Sequence, residues 1–182
     1  METEKQSSTN FIFLDIDGVM CPFISLSDHW RQIFWRNYWT KIGRYDLVLQ
    51  TISEEKKRVL NSFIQSIGGN VKIVISSDWR KTLPEEILAK AIGQNSVQKT
   101  MYKPRNIANP FEWRQWLYEA THKKDLRLEQ IRKFCEDFGG KINRIIVIDD
   151  SSVVPSGSVI GGITIEFIQP TSSTGLTNTF LS

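Results

Sequence analysis

The chain has little cysteine and little histidine, two of each in 182 residues. Cys21 and Cys135 cannot build a disulfide framework, and nothing spaces them with histidines as a zinc site. His29 and His122 are too scattered for a histidine metal cluster. So few thiols suit a reducing compartment. No run approaches the ~18 apolar residues of a membrane span, which excludes an integral membrane segment. Met1 to Asn10 carries Glu2, Glu4 and Lys5 and lacks the basic and apolar regions of a signal peptide. A cytoplasmic protein is the expectation, with signal-independent export to a host as the alternative. Internal repeats and low-complexity tracts are missing too. The charge excess is small: 23 basic against 20 acidic residues leave +3. That leans towards anionic ligands without describing a chain that coats nucleic acid. What is present is 40% hydrophobic and 24% charged residues, the balance of a globular domain. The expected organisation is a flexible terminus over 1–10 and one domain over 11–182, with insertions at about 21–50 and 95–124.

Three short apolar runs end in polar residues. Phe11-Ile12-Phe13-Leu14 closes with Asp15-Ile16-Asp17-Gly18, Val71-Lys72-Ile73-Val74-Ile75 with Ser76-Ser77-Asp78, and Ile145-Ile146-Val147-Ile148 with Asp149-Asp150. Runs so rich in β-branched residues suit strands buried on both faces, as in a parallel sheet covered by helices. Between them, Ser53 caps a helix with Glu54 and Glu55 in its first turn. Val59, Leu60, Phe63, Ile64 and Ile67 follow at helical spacing, and Gly68-Gly69 stops it. A second helix is predicted over about 126–138, with Leu128, Ile131, Phe134 and Cys135 on one face. The run from Gly162 to Ile168 reads as a further strand. Strand and helix alternating in this way predict an α/β fold.

Two segments stand outside that grammar. Pro22 to Leu49 sets Trp30, Phe34, Trp35, Tyr38, Trp39 and Tyr45 among Arg31, Arg36, Lys41 and Arg44. Asn95 to Lys124 holds Tyr102, Lys103, Arg105, Trp113, Arg114, Trp116 and Tyr118. Both follow a strand-end motif and are expected over the same end of the sheet. The aromatics either plug the insertions onto the body or form walls that stack bases and hold phosphates.

The chemistry sits at the strand ends. Asp15 can attack phosphorus as a nucleophile, giving an aspartyl-phosphate. Asp17 can protonate the leaving oxygen and later take a proton from water. Gly18 lets the chain turn sharply. Asp149-Asp150 supplies hard oxygen ligands for a divalent cation, with Mg²⁺ the expected ion, and the cation offsets the repulsion between carboxylate and phosphate. Ser76 offers a hydroxyl to a phosphate oxygen, beside Ser77 and the amides that follow. Trp79 is a packing residue or part of the site, and Arg80 either braces its loop or touches substrate.

The order D-x-D-G-V, then hydrophobic-S-S, a basic residue and D-D resembles the haloacid dehalogenase (HAD) superfamily of aspartate-based phosphotransferases. Ser76-Ser77-Asp78-Trp79-Arg80 looks like the S-S-x-W-R signature of a small HAD family that includes domains named after Swiss Army Knife RNA repair proteins. Arg127-Leu128-Glu129-Gln130-Ile131 looks like its R-G-x-E-I helix start, with Leu128 in place of Gly. Thr174-Gly175-Leu176-Thr177 resembles its terminal G-L-T segment. The resemblance implies a Rossmann-like HAD fold with a central parallel sheet, helices on its faces and short insertions rather than a large cap domain. It implies Asp15 as nucleophile, Asp17 as acid/base, and Ser76 and Ser77 at the phosphate. Asp150 is the main metal-binding carboxylate, supported by Asp149, and the ion also contacts the Asp15 side chain and the backbone carbonyl of Asp17. For the basic residue, Arg127 is favoured by the motif, with Lys124 and Lys123 close by. The expected activity is a Mg²⁺-dependent phosphatase acting on a phosphorylated macromolecule, either a protein side chain such as phosphotyrosine or a nucleic-acid end. A small-molecule phosphatase and a catalytically idle binding module are the alternatives.

Overall fold

Each of the three apolar runs forms a strand in the computed structural model of the chain, which describes residues 8–100 and 123–180 except 153 and 156. Residues 1–7 of the expected flexible terminus (1–10) and residues 101–122 of the second insertion (about 95–124) lie outside the described residues. The strands are β1 (Thr9–Leu14), β2 (Asn70–Ile75), β3 (Gln98–Lys99), β4 (Ile142–Ile148), β5 (Val159–Ile160) and β6 (Ile163–Ile168). They form one six-stranded sheet in the order β3-β2-β1-β4-β6-β5, parallel except where β5 pairs with β6. Helices α1 (Leu26–Lys41), α2 (Tyr45–Leu49), α3 (Glu54–Ile67), α4 (Glu85–Ala91) and α5 (Lys123–Asp137) connect them.

Side-chain alternation on the central strands divides the core in two. Ile12 and Leu14 of β1, with Ile146 and Ile148 of β4, pack with Val48, Val59, Leu60, Phe63 and Leu88 from α2, α3 and α4. Phe11, Phe13, Ile145 and Val147 pack on the other face with Ile131 and Cys135 of α5. On that face Phe11 meets Phe134 and Phe138 edge to face, at 5.3 Å and 4.9 Å between ring centroids. Contacts of this kind add about 0.5–1.5 kcal/mol each to the burial itself. Both faces of the sheet are thus sealed, which is why the central strands are continuous apolar runs.

The predicted helix after Ser53 is α3, where the Ser53 hydroxyl accepts from the Lys56 N–H and Gly68 ends the helix at a φ of 66°. The second predicted helix is α5, which starts three residues before the expected Leu126. The strand predicted within Gly162 to Ile168 is β6. The first strand begins at Thr9, two residues before its apolar run, because polar side chains extend the pairing. Asn70 donates to Thr9 Oγ1, and Asn10 joins Gly68 O to the Asn143 amide. Among the described residues, five of these strands and helices escaped the sequence reading. α1 and α2 fall in the first aromatic-basic segment, α4 is seven residues long, and β3 and β5 are two-residue edge strands.

Candidate active site

Register sets the site. Leu14 of β1 lies level with Ile75 of β2 and with Ile148 of β4. The next residues, Asp15, Ser76 and Asp149, therefore emerge side by side. The Asp15 N–H donates to Ile148 O at 2.9 Å and the Ser76 N–H to Leu14 O at 3.0 Å. From β1 the chain builds outward to β2 on one side and later to β4 on the other. This reversal opens the crevice at carboxyl strand ends where open α/β sheets bind ligands.

Three carboxylates crowd this crevice. Oxygens of Asp15, Asp149 and Asp150 lie within 4.8 Å of one another. Asp15 and Asp149 are buried, 7% and 0% exposed. Arg127, from the start of α5, pairs with Asp149 and sets Nη1 3.6 Å from Asp15 Oδ1. Burial pushes the Asp15 carboxyl up; Arg127 opposes this, while Asp17 and Asp150 add to it. Burial, then the charge of Asp15, raises Asp149 from 3.8 to about 7 despite Arg127. Among the described residues, one guanidinium does not balance three acids in so dry a place. The hard oxygen donors and their unmet negative charge fit a divalent cation.

Asp150 is set from the far end of the chain. Ser172 donates to its Oδ2 at 2.5 Å, and the Gln169 amide to its backbone carbonyl at 3.1 Å. The C-terminal segment is tied to the first motif by the Leu176 N–H to Val19 O and the Phe23 N–H to Ser172 O, both 2.8 Å. Gly18 turns beneath Asp150 at a φ of 77°, and a Cβ there would collide with the Asp150 carboxylate. Gly18→Ala is therefore expected to be costly twice over. The left-handed backbone costs an L-residue about 1–2 kcal/mol, and the methyl forces Asp150 away from Ser172. Divalent-cation affinity should fall about 10- to 100-fold, the range for a lost support of a metal ligand. Calorimetric titration checks this, and unchanged affinity would show that Asp150 does not hold the ion.

Asp17 stands apart from the cluster. Its Oδ1 accepts from Trp79 Nε1 at 2.8 Å and from Arg36 Nη1 at 2.9 Å, and Arg36 also reaches Oδ2 at 3.1 Å. Ser76 is fully buried, yet its hydroxyl has no hydrogen-bond partner among the described residues. A buried polar group of this kind is costly unless a ligand satisfies it. Ser77 caps the 3₁₀ turn Asp78–Lys81, accepting from the Trp79 N–H, and a hydrogen bond from its side chain opposes, in small part, the rise that burial imposes on Asp15. Arg80 does brace its loop, donating to the Ser76 and Ser77 carbonyls and to Gln130 Oε1. Lys124 lies in the first turn of α5, and its side chain, like that of Lys123, is outside the described residues.

Sequence reasoning missed Arg36 and Ser172 as site residues. Arg36 was one basic residue in an aromatic stretch, with no spacing to single it out. Ser172 sits just before the Thr174-Gly175-Leu176-Thr177 segment, whose return to the first strand end was the available signal. Among the described residues no helix is long and apolar enough to cross a membrane.

Residues 11–180 match the family described as the HAD domain in Swiss Army Knife RNA repair proteins. Nothing among the curated proteins or the solved structures matches the chain.

Proposed function

The chain belongs to the family of HAD domains in Swiss Army Knife RNA repair proteins, a HAD-type hydrolase family, and from that premise we propose that it is a Mg²⁺-dependent phosphomonoesterase with Asp15 as nucleophile. The observation that carries this reading is the crevice itself. Asp15 lies beside Arg127 in a cluster of three carboxylates, with the unsatisfied Ser76 hydroxyl on the neighbouring strand end. Each group has a use when a phosphate enters. Ser76 and the amides of its turn donate to a phosphoryl oxygen. Arg127 offsets charge on Asp15 and on the phosphate. Asp15 forms the new oxygen–phosphorus bond as the ester bond breaks, and Asp17 gives its proton to the departing oxygen. Asp17 then takes a proton from the water that hydrolyses the aspartyl-phosphate, returning both carboxylates to their starting state.

Asp15, Asp149 and Asp150 would hold Mg²⁺, with the Asp17 carbonyl as a further ligand. The ion would neutralise the repulsion between the Asp15 carboxylate and the phosphate. Titration gives this a direct test. A carboxyl whose folded pKa is raised contributes stability below its unfolded value, and loses it as pH rises through the folded one. For Asp149 that window runs from 3.8 to about 7. Without metal, stability should fall across it. The rise in melting temperature on adding Mg²⁺ should grow across the same window, because the ion must displace fewer protons. A rise that does not change with pH would place the ion elsewhere.

Two features support a macromolecular substrate. The family is named for RNA repair proteins, and α1 presents Trp30, Phe34, Trp35 and Tyr38 to solvent, each at least 43% exposed. Such rings can stack unpaired bases, which favours a nucleic-acid phosphate end over a phosphorylated protein side chain. The deciding experiment is turnover of an aryl phosphate with and without Mg²⁺, followed by a 3′-phosphorylated oligonucleotide, a phosphotyrosine peptide and a nucleoside monophosphate. No aryl phosphate turnover in Mg²⁺ would reject the enzyme reading in favour of a binding module. Preference for the mononucleotide would make it a small-molecule phosphatase.

A further inference from the structure

Asp17 is gripped by two side chains from different parts of the chain. In α1 the one buried residue is not apolar: it is Arg36, 5% exposed. Its guanidinium carbon lies 4.8 Å from the centroid of the Trp79 ring, so the cation rests on the indole. Trp79 is 2% exposed. Packing alone explains a buried indole, but it does not require the indole N–H to end on a carboxylate. Nor does packing explain why a helix with an exposed aromatic face buries an arginine.

The division between the two carboxylate oxygens is informative. Among the described residues, Oδ1 takes both the indole N–H and the nearer guanidinium contact, while Oδ2 has one contact, at 3.1 Å. A proton donor must come within ~2.6–3.2 Å of the atom it serves. A carboxyl anchored mainly through Oδ1 holds Oδ2 in a fixed place, and with a single, longer hydrogen bond Oδ2 keeps a lone pair to carry a proton. We propose that Arg36 and Trp79 are positioning residues for proton transfer: they lock Asp17 through Oδ1 so that Oδ2 serves the leaving oxygen. Because Arg36 belongs to α1, the aim of the acid is coupled to the seating of that helix. This inference rests on the phosphatase reading above.

The test compares two phosphomonoesters in kcat/KM, which reports steps up to the first irreversible phosphoryl transfer. 4-Nitrophenyl phosphate has a leaving group that departs with little help, whereas a simple alkyl phosphate needs the proton. In Trp79→Phe, which keeps an aromatic ring, though a smaller one, and loses the N–H, the aryl-to-alkyl ratio should rise about tenfold, a part of the 10²–10⁴ that a positioned acid contributes. Arg36→Met should raise it similarly, and Arg36→Lys should restore much of the wild-type ratio. Melting temperatures of the three variants are recorded alongside, since a purely structural role lowers stability and slows both substrates alike. An unchanged ratio in Trp79→Phe and Arg36→Met, with active wild type, would overturn the inference and leave the phosphatase reading standing. If Trp79→Phe fails to fold, the Arg36 pair decides alone. Wild type that turns over neither ester would overturn both.

Discussion

Asp15→Asn is expected to abolish turnover of every phosphomonoester, by about a thousandfold or more, on the scale seen when a covalent nucleophile is removed. The amide matches the carboxylate in shape, and Asp15 makes few demands that an amide oxygen cannot meet. Its Oδ1 accepts the Ile16 N–H at 2.9 Å, a bond that the carbonyl oxygen of the substituted amide can still accept. What is lost is the charge. In the metal-free protein that charge is a burden, because burial and the neighbouring Asp17 and Asp150 all raise the Asp15 pKa. The melting temperature of the variant without metal should therefore equal or exceed that of wild type above pH 7. Phosphoprotein trapping by acid quench should find label on wild type and none on the variant. Residual activity above about a tenth of wild type would assign the nucleophile to another group.

Arg127→Met should have the largest effect on stability. The change removes the cation between Asp15 and Asp149 and leaves two buried carboxylates facing each other. Removing one partner of a buried pair costs about 3–5 kcal/mol. At ~2–4 °C per kcal/mol for a chain of this size, melting should fall roughly 6–20 °C near neutral pH without metal. The sign of the pH effect identifies the cause. Burial already pushes the Asp149 carboxyl up to about 7, and loss of Arg127 removes the charge that opposed the rise. Acidification then protonates the pair and removes the repulsion, so the variant should recover most of the lost stability at about pH 5. An equal deficit at pH 5 and pH 8 would mean that Arg127 acts through packing. Turnover of aryl phosphate in Mg²⁺ should drop about 10²–10³-fold, as when a charge-stabilising donor is removed from an active site.

The sequence by itself determined the fold class, since its signals are local. Buried parallel strands must be apolar along their whole length, so β1, β2 and β4 stand out as runs, and each run ends where its polar motif begins. The same locality exposed α3, whose Ser53 cap and Gly68 stop are written within its own length. The short α4 and the edge strands β3 and β5 carry no such signature, and α1 hides its helical pattern because most of its large apolar side chains face outward, while Trp39 packs against the core. Asp15, Asp149, Asp150 and Ser76 were legible as strand-end residues, and a shared register was enough to bring them together. Only the tertiary structure decided what surrounds them. Arg36 reaches Asp17 across 19 positions, Trp79 reaches it across 62, and Ser172 meets Asp150 from the last segment of the described chain. Hydrogen bonds between residues so far apart leave no periodicity behind, because either end satisfies its local structure equally well without the other. A carboxylate's neighbours fix its charge and its aim, and those neighbours are chosen by the fold.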